Sequence, residues 1–242
     1  MKKQWKHLAK IYHETIGRGV STVKEISASR KIRDLEVGQH LANQVPVYIS
    51  QLGDADPSTI SSFYGHIADN EALNRFGSKT QAEYDYWAWR SCAIAVTQMV
   101  IKTAYPNLDI STMSLISEGL ELDGYDLAKD VGWYHISLVK LANKYRINAY
   151  TKKFTPPSEI ASLILGGNYV ACALKSQTGG HIVLAYGFSI NQDHKLDGLL
   201  VHDPLNYHKD GNEVFMPINE FKKLSTRRII VFGGQRSKTN LI

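Results

Sequence analysis

Only two cysteines occur in this chain of 242 residues, and one of them stands at the start of a sequence typical of a buried helix. Cys92 lies in WAWRSCAIAVTQMV, residues 87–100, and small and β-branched apolar residues follow it. A helix N-terminus carries unpaired N–H groups and a partial positive charge, which favour a thiolate and can also bind an oxyanion. Cys92 is therefore a candidate nucleophile. The alternative is that it is a small core residue, since free cysteines are commonly buried.

A thiolate nucleophile needs a general base, and His181 is the histidine best placed for that role. It begins the apolar stretch HIVLAYGFSI directly after Gly179 and Gly180, which allow another backbone or a substrate to come close. The histidines of the N-terminal region and of the predicted turns are expected to be solvated, and His135 to cap or pack at a helix start. The alternative for His181 is an ordinary structural histidine at the start of a strand.

An acidic residue, Asp203, ends the apolar stretch LLVHDP and precedes Pro204, which keeps the residue before it extended. If HIVLAYGFSI and LLVHDP pair as a hairpin centred near residue 192, Asp203 and His181 lie opposite each other. A carboxylate at that place would orient the imidazole and fix its tautomer. The alternative is a common Asp-Pro turn.

The order of helical and extended patterns indicates an α+β fold. Helical periodicity runs from Ser91 to Tyr105, where Pro106 stops it, and recurs in STMSLISEGL, HISLVKLANKY and PPSEIASLILGG. Predicted strands follow in INAYTKKF, YVACALKS, HIVLAYGFSI, LLVHDP and RRIIVFGG, with QTGG and NQDHKLDG as hairpin turns. We expect a helical layer, including the helix of Cys92, packed on a C-terminal antiparallel sheet.

The N-terminal third has a different character. Residues 1–44 are polar and basic, and two helices are predicted there, separated by a short break that contains glycine. VPVYISQL, residues 45–52, alternates like a strand, and residues 53–80 resemble a long loop with one short helix. We expect a helical arm over 1–44 and a single domain over 45–242. The arm could contact a partner or cover a groove.

Composition excludes several classes of function. The net charge of +5 is dispersed apart from four lysines in the first ten residues, so nucleic acid is not an expected partner. No apolar run is long enough to span a membrane, and the basic N-terminus lacks the apolar stretch of a signal peptide, so a cytoplasmic location is expected. The sequence contains no CxxC, HExxH or nucleotide-binding glycine motif, so neither a metal nor a cofactor is expected.

Three of these segments together resemble the motifs of papain-like cysteine peptidases. WAWRSCAIAVTQMV, GGHIVLAYG and LLVHDP are most similar to the bacteriocin-leader-processing peptidases and their stand-alone relatives, over roughly residues 45–234. The resemblance implies a papain-like fold in which Cys92 is the nucleophile, His181 the general base and acid, and Asp203 the residue that orients it.

The resemblance also implies a glutamine that completes the oxyanion hole. Gln51, at the end of VPVYISQL, corresponds to that residue, although about 40 residues separate it from Cys92 where the family has a handful. Gln81 is a weaker candidate. The chain departs from the family again at Ala93, where glycine usually follows the nucleophile.

These residues predict a cysteine peptidase that forms an acyl-enzyme on a peptide or protein substrate. The alternative is a papain-like fold without catalysis that binds peptides or proteins. Aromatic residues before the nucleophile and at the start of the helix of His135, among them Trp89 and Trp133, predict a narrow groove and a preference for small residues at the cleaved bond. The alternative is that these rings are core packing. The acidic stretch DGYDLAKD, residues 123–130, either meets a basic substrate segment or is a solvated loop.

Overall fold

A computed structural model describes residues 2–176, 179–205 and 210–233. The helices are Lys2–Ile32 (α1), Asn70–Phe76 (α2), Gln81–Ala88 (α3), Cys92–Ala104 (α4), Thr112–Glu121 (α5), His135–Lys144 (α6), Pro157–Leu165 (α7) and Ile218–Leu224 (α8). The strands are Gly38–Leu41 (β1), Ala149–Lys153 (β2), Tyr169–Ser176 (β3), Gly179–Ile190 (β4), Leu196–His202 (β5), Val214–Pro217 (β6) and Ser225–Phe232 (β7). No helix in the described part of the chain is long and apolar enough to cross a membrane.

The strands form one antiparallel sheet in the order β2-β7-β3-β4-β5-β6, and β1 pairs with the far end of β4. Helix α4 packs against β4, α6 against β2, and α7 against β3 and β4. This is the helical layer on an antiparallel sheet that the sequence predicts, so the α+β fold class is confirmed. The turn at residues 191–195 is also present, whereas Gln177 and Thr178 of the QTGG turn lie outside the described residues.

The helix that begins at Cys92 is buried along nearly its whole length. Residues 93–101 and Thr103 are buried, and the helix ends at Ala104, two residues before Pro106. An apolar circumference of this kind can be stable only inside a core. Its predicted burial is therefore confirmed, and the core fixes the position of its first residue.

The N-terminal predictions are wrong in two places. Residues 2–32 form a single helix, α1, and Gly17 does not break it. A Cβ at Gly17 would lie 2.3 Å from the Phe154 ring, so the glycine allows close packing. Residues 38–41 are a strand, β1, and not part of a second helix. So short a strand has no local pattern that distinguishes it from its surroundings.

The predicted strand VPVYISQL is likewise absent. The backbone N–H of Val47 donates to Thr103 Oγ1 at 2.9 Å, and that of Gln51 donates to the Pro204 carbonyl at 2.8 Å. These backbone N–H groups therefore bond to α4 and to the Asp-Pro turn, and not to a neighbouring strand. The following loop contains α2 as its predicted short helix, whereas β6 and α8 were not predicted.

Candidate active site

Cys92 is the first residue of α4 and is half-buried, whereas Cys172 on β3 is fully buried. The side chain of the preceding Ser91 does not cap the helix; its Oγ donates to the Gln51 and Ala88 carbonyls instead. The N–H groups at the start of α4 therefore keep their capacity to bind an anion. Burial raises the pKa of the Cys172 thiol. Of the two thiols, Cys92 is thus the accessible one.

The imidazole of His181 lies between a carboxylate and a thiol. Its Nε2 is 2.7 Å from Asp203 Oδ1, and Cys92 lies close enough to raise the pKa of the imidazole as well. Burial by itself lowers the pKa of His181, but the hydrogen bonds to Asp203 and Cys92 and their negative charges outweigh burial and raise it to about 10. With Nε2 bonded to Asp203, Nδ1 is the ring nitrogen left for the sulfur. The arrangement can hold a proton next to a nucleophilic sulfur.

The hairpin that brings His181 and Asp203 together differs in register from the prediction. Leu184 pairs with His202, and the register shifts twice between β4 and β5, so the ladder would place Asp203 opposite Val183 and not opposite His181. Val183 and His181 lie on the same face of the strand because side chains alternate. The two side chains therefore meet along a diagonal. The predicted contact is present, but the predicted direct pairing is wrong because bulges shift the ladder.

Hydrogen bonds to both the backbone and the side chain of Asp203 fix its position. Its N–H donates to the Gly211 carbonyl at 2.8 Å, its own carbonyl accepts from the Tyr48 hydroxyl at 3.1 Å, and Oδ1 also accepts from the Leu205 N–H at 3.0 Å. A Cβ on Gly211 would lie 1.9 Å from the Asp203 carbonyl oxygen. Only glycine allows this close approach, so Gly211 helps to set where the carboxylate lies.

Gln51 lies next to the start of α4 despite the long insertion. It is buried, its Nε2 donates to the Ala88 carbonyl at 3.0 Å, and its Oε1 has no hydrogen-bond partner among the described residues. An amide nitrogen carries two N–H donors, so one remains beyond the bond to Ala88. Gln81 does not share this place, because its Nε2 donates to the Ile67 carbonyl and to Asp85 within the insertion.

Cys92 and His181 face a common groove of about 1360 Å³. Trp89, Trp133, Tyr134 and Tyr64 line it, whereas Trp87 packs against Tyr125 and Trp133 in the core. The two groove tryptophans are themselves fixed by hydrogen bonds: Trp89 Nε1 donates to the Gly65 carbonyl, and Trp133 Nε1 to the Arg90 carbonyl, both within 2.9 Å. Among the residues of α1 whose side chains the structure describes (15, 17 and 19–32), none lines the groove.

Two of the three carboxylates in the acidic stretch 123–130 form ion pairs within the chain. Asp130 forms a bidentate ion pair with Arg90, at 2.9 and 2.8 Å, and also accepts from the Tyr125 hydroxyl. The hydrogen bond from the Arg90 guanidinium and, to a smaller extent, that from the Tyr125 hydroxyl lower the pKa of the Asp130 carboxyl to about 2. Asp126 pairs with Lys129. These ion pairs support the reading of a self-contained loop over that of a surface for a basic substrate.

Two residues that support the site, His202 and Tyr48, were not singled out from the sequence. His202 is fully buried; its Nε2 donates to the Pro46 carbonyl at 2.9 Å, and its Nδ1 accepts from the Glu213 N–H at 3.1 Å. Its ring meets the Tyr48 ring edge-on, and Tyr48 in turn bonds to Asp203. The only signal for His202 was its place beside Asp203 in LLVHDP.

Comparison with known proteins places these residues within a family. Residues 74–229 match the Peptidase_C39 like family, and no curated protein is significantly similar to the chain. Among solved structures, a double glycine motif protease from an AMS/PCAT transporter, in complex with the leader peptide, is 18% identical over 60% of this chain and 86% of that chain, with a TM-score of 0.44.

Two further solved structures show a likeness of the same order. A C39-like peptidase from Bacillus anthracis is 19% identical over 60% of this chain and 90% of its own, with a TM-score of 0.43. The N-terminal peptidase C39 like domain of a toxin secretion ATP-binding protein from Vibrio parahaemolyticus is also 19% identical, over 60% of this chain and 97% of its own, with a TM-score of 0.40.

Proposed function

Because this chain belongs to the Peptidase_C39 like family, we propose that it is a cysteine peptidase that cleaves a peptide bond through an acyl-enzyme. The observation that carries the proposal is the position of His181, which is hydrogen-bonded to Asp203 and faces the same groove as Cys92. In this proposal Cys92 is the nucleophile, His181 moves the proton, and Asp203 keeps the imidazole in the orientation that points Nδ1 at the sulfur.

The chemistry follows from the protonation state that this geometry favours. The Cys92 thiolate attacks the carbonyl carbon, and the electrons of the C=O bond move to its oxygen. When the tetrahedral intermediate collapses, the C–N bond breaks and the His181 imidazolium gives its proton to the leaving amine. The neutral imidazole then takes a proton from water, which attacks the thioester and releases the acid and the thiolate.

The oxyanion formed in each step requires donors that are in place beforehand. The N–H groups at the start of α4 supply one set, because Ser91 does not cap them. The remaining N–H of the Gln51 amide supplies a second donor, because the hydrogen bond to the Ala88 carbonyl holds this amide beside residues 89–91, which precede Cys92. A Gln51→Ala substitution is therefore expected to lower kcat by ~10²- to 10³-fold.

Aromatic side chains in the groove favour a substrate with small residues at the cleaved bond. Trp89 and Trp133 are held rigidly by their indole hydrogen bonds, so neither ring can move aside for a bulky side chain without losing one. A leader peptide that ends in a double glycine motif, the substrate type named for one of the related structures, meets this condition. A peptide library in which preferred cleavage follows bulky residues would contradict it.

Alkylation of the two cysteines tests the catalytic role of Cys92 directly. With iodoacetamide at neutral pH, we expect Cys92 to react at least ~10-fold faster than Cys172, because the thiolate is the reactive form and Cys172 is buried with a raised pKa. Mass spectrometry of the digested protein measures both rates. His181→Ala should slow the alkylation of Cys92 and leave that of Cys172 unchanged, and Cys172→Ala should leave peptide cleavage in place. Equal rates, or cleavage retained in Cys92→Ala, would instead favour a peptide-binding protein without thiol chemistry.

A further inference from the structure

One wall of the groove is strongly basic. Among the residues that line it, six cations lie on one side: Lys152 and Lys153 of β2, Lys175 of β3, Lys222 of α8, and Arg227 and Arg228 of β7. We refer to these six residues as the basic wall. Asp130 is the only acidic residue among the described residues that line the groove, and it is already paired with Arg90. The basic wall therefore faces open space with an excess of positive charge.

The charges of the basic wall are for the most part not compensated within the described chain. Lys152 pairs with Glu159, but the other five cations form no ion pair with a described residue, and all five are exposed. Lys153 and Arg228 even lie directly opposite each other in the β2–β7 ladder. Like charges in that position are destabilising, so the fold alone gives no reason for this pair.

The backbone of β7 is bent where it presents two of these cations. Arg227 has a φ of +58°, in the left-handed region, and the β3–β7 register shifts between Cys172 and Leu174. Thr226 Oγ1 donates to the Ala173 carbonyl, and the Arg227 N–H donates to Ser225 Oγ, both at 3.0 Å. Neighbouring side chains in a regular strand point to opposite faces. At this bulge Arg227 and Arg228 instead both line the groove, at a backbone cost of ~1 kcal/mol or more.

The distance from the proposed nucleophile sets which part of a substrate would meet the basic wall. The sheet order runs from β4, which carries His181, through β3 and β7 to β2. At ~4.8 Å per strand, β7 lies ~10 Å and β2 ~14 Å from β4. An extended peptide advances ~3.3 Å per residue. Residues three to four positions from the cleaved bond would therefore lie over Arg228 and Lys153.

We propose that the basic wall binds an acidic segment of the substrate, with Asp or Glu three to four residues from the cleaved bond. The inference rests on the proposed peptidase function, since the groove that holds Cys92 and His181 continues into the wall. A single-stranded nucleic acid fits less well, because such ligands stack their bases on exposed rings. The exposed Tyr and Trp rings among the described residues that line the groove are Tyr64 and Tyr134, and neither belongs to the strands or the helix that carry the basic wall.

A charge exchange between protein and peptide tests the proposal. Lys175→Glu/Arg228→Glu reverses two charges of the wall, and Lys140→Glu, on the exposed face of α6 outside the groove, is the matched control. Peptides with a Gly-Gly cleavage site carry Glu, Gln or Lys at the third and fourth positions, in one series before the bond and in another after it. kcat/KM is measured for each peptide, and binding is measured by fluorescence anisotropy in a Cys92→Ala background.

In one of the two series we expect Glu peptides to be cleaved and bound about 5- to 10-fold better than Gln peptides, as two or three exposed charge pairs would give. Lys175→Glu/Arg228→Glu should reverse the order in favour of Lys peptides, and Lys140→Glu should keep it. The preference should also weaken as salt is added. Arg228→Gln, which removes a like-charge contact and adds none, should abolish part of the preference without loss of stability.

Two results would overturn the proposal, and neither is the failure of the peptidase itself. Equal cleavage of the Glu, Gln and Lys peptides in both series would show that the active enzyme does not discriminate between substrates by charge. Tighter binding of a single-stranded RNA than of the Glu peptides would assign the wall to nucleic acid. If no peptide is cleaved, the peptidase proposal fails, and the anisotropy of the Glu and Lys peptides still decides whether the wall binds acidic chains.

Discussion

At the scale of single residues, the reactivity of this site depends on a proton shared among three side chains. His181 bonds to Asp203 through Nε2 and keeps its other nitrogen for Cys92. Its raised pKa means that the imidazolium persists above the ordinary value of 6.5 and is lost only as the pH rises toward 10. The form that can protonate a leaving amine therefore dominates at neutral pH.

Removing the charge of Asp203 should shift this titration downward. In Asp203→Asn the negative charge that helps to raise the pKa of His181 is gone, so the imidazolium is lost at lower pH. We expect the alkaline limb of the kcat/KM profile to move to lower pH and kcat at neutral pH to fall by ~10²-fold or more. Cleavage of a fluorogenic peptide between pH 5 and 10 measures both. Asp193→Asn, in an exposed turn, is the control, and an identical alkaline limb in both variants would contradict the assignment.

Gly211 offers a second test at this scale, because it affects the carboxylate only through the backbone. In Gly211→Ala the new Cβ would lie 1.9 Å from the Asp203 carbonyl oxygen, so Asp203 has to move. A displacement of about 1 Å in a catalytic group can cost ~10²-fold in rate, and we expect a loss of that order in kcat/KM. Gly19→Ala on α1, where a Cβ meets nothing within 4 Å, should leave kcat/KM unchanged. Equal activity in the two variants would show that the Asp203 turn tolerates the shift.

At the scale of elements, the sequence predicts what local periodicity determines and misses what tertiary contacts decide. Helix α4 could be predicted because its apolar residues cover its whole circumference. The segment VPVYISQL has the alternation of a strand, but its backbone bonds to Thr103 and Pro204, which no local pattern shows. Gln51 lies beside residues 88–91 only because the residues between 52 and 87 fold outward, which is also a tertiary property.

The register of β4 and β5 illustrates the same limit within the candidate site. Counting from the turn places His181 opposite Asp203, whereas two bulges shift the ladder so that the contact becomes diagonal. The place of a bulge depends on which carbonyls and side chains form hydrogen bonds with the extra residue, and the sequence does not specify those partners. The composition of the pair could thus be predicted, but its geometry could not.

The loop of residues 61–66 lines the groove through Tyr64 and packs against Trp89, which gives this loop a testable role. The Trp89 ring packs against Phe63 and Tyr64, at centroid distances of 5.1 and 5.6 Å, and its indole N–H donates to Gly65. Trp89→Ala is expected to lower the free energy of unfolding by about 3 to 5 kcal/mol. It should also broaden the preference for small residues at the cleaved bond, because the loop around residues 61–66 loses its anchor.

Trp89→Phe separates the two effects. It keeps an aromatic ring in the core and removes the hydrogen bond to Gly65, so we expect a loss of only about 1 kcal/mol with a partly broadened preference. Urea unfolding measures the stability and a peptide library the preference. An unchanged library profile in Trp89→Ala would show that the loop does not limit the bound substrate.

At the scale of the whole molecule, α1 contacts α7 and the end of β2, where Lys153 also lines the groove. Lys24 Nζ donates to the Lys153 carbonyl at 3.1 Å, Ser158 Oγ donates to Glu25 Oε2 at 2.7 Å, and Ile32 is buried in the hydrophobic core. We propose, as the sequence predicts, that residues 1–44 are an arm added to a peptidase domain. In that arrangement α1 stabilises the fold without taking part in catalysis.

Loosening α1 at its buried end tests this arrangement. Ile32→Asp places a charge in an apolar contact and should lower stability by about 3 kcal/mol, which corresponds to a decrease in Tm of ~6 to 12 °C in a chain of this size. Val23→Asp, on the same helix and 69% exposed, introduces the same charge and should leave Tm nearly unchanged. Because the described residues of the arm form no hydrogen bond or ion pair with Cys92, His181 or Asp203, kcat/KM below the transition should change by less than ~3-fold in both variants. Calorimetry and peptide cleavage measure the two quantities. A large rise in kcat/KM in Ile32→Asp alone would show instead that the arm covers the groove as a pro-segment does, and a large fall would place part of the arm in the catalytic unit.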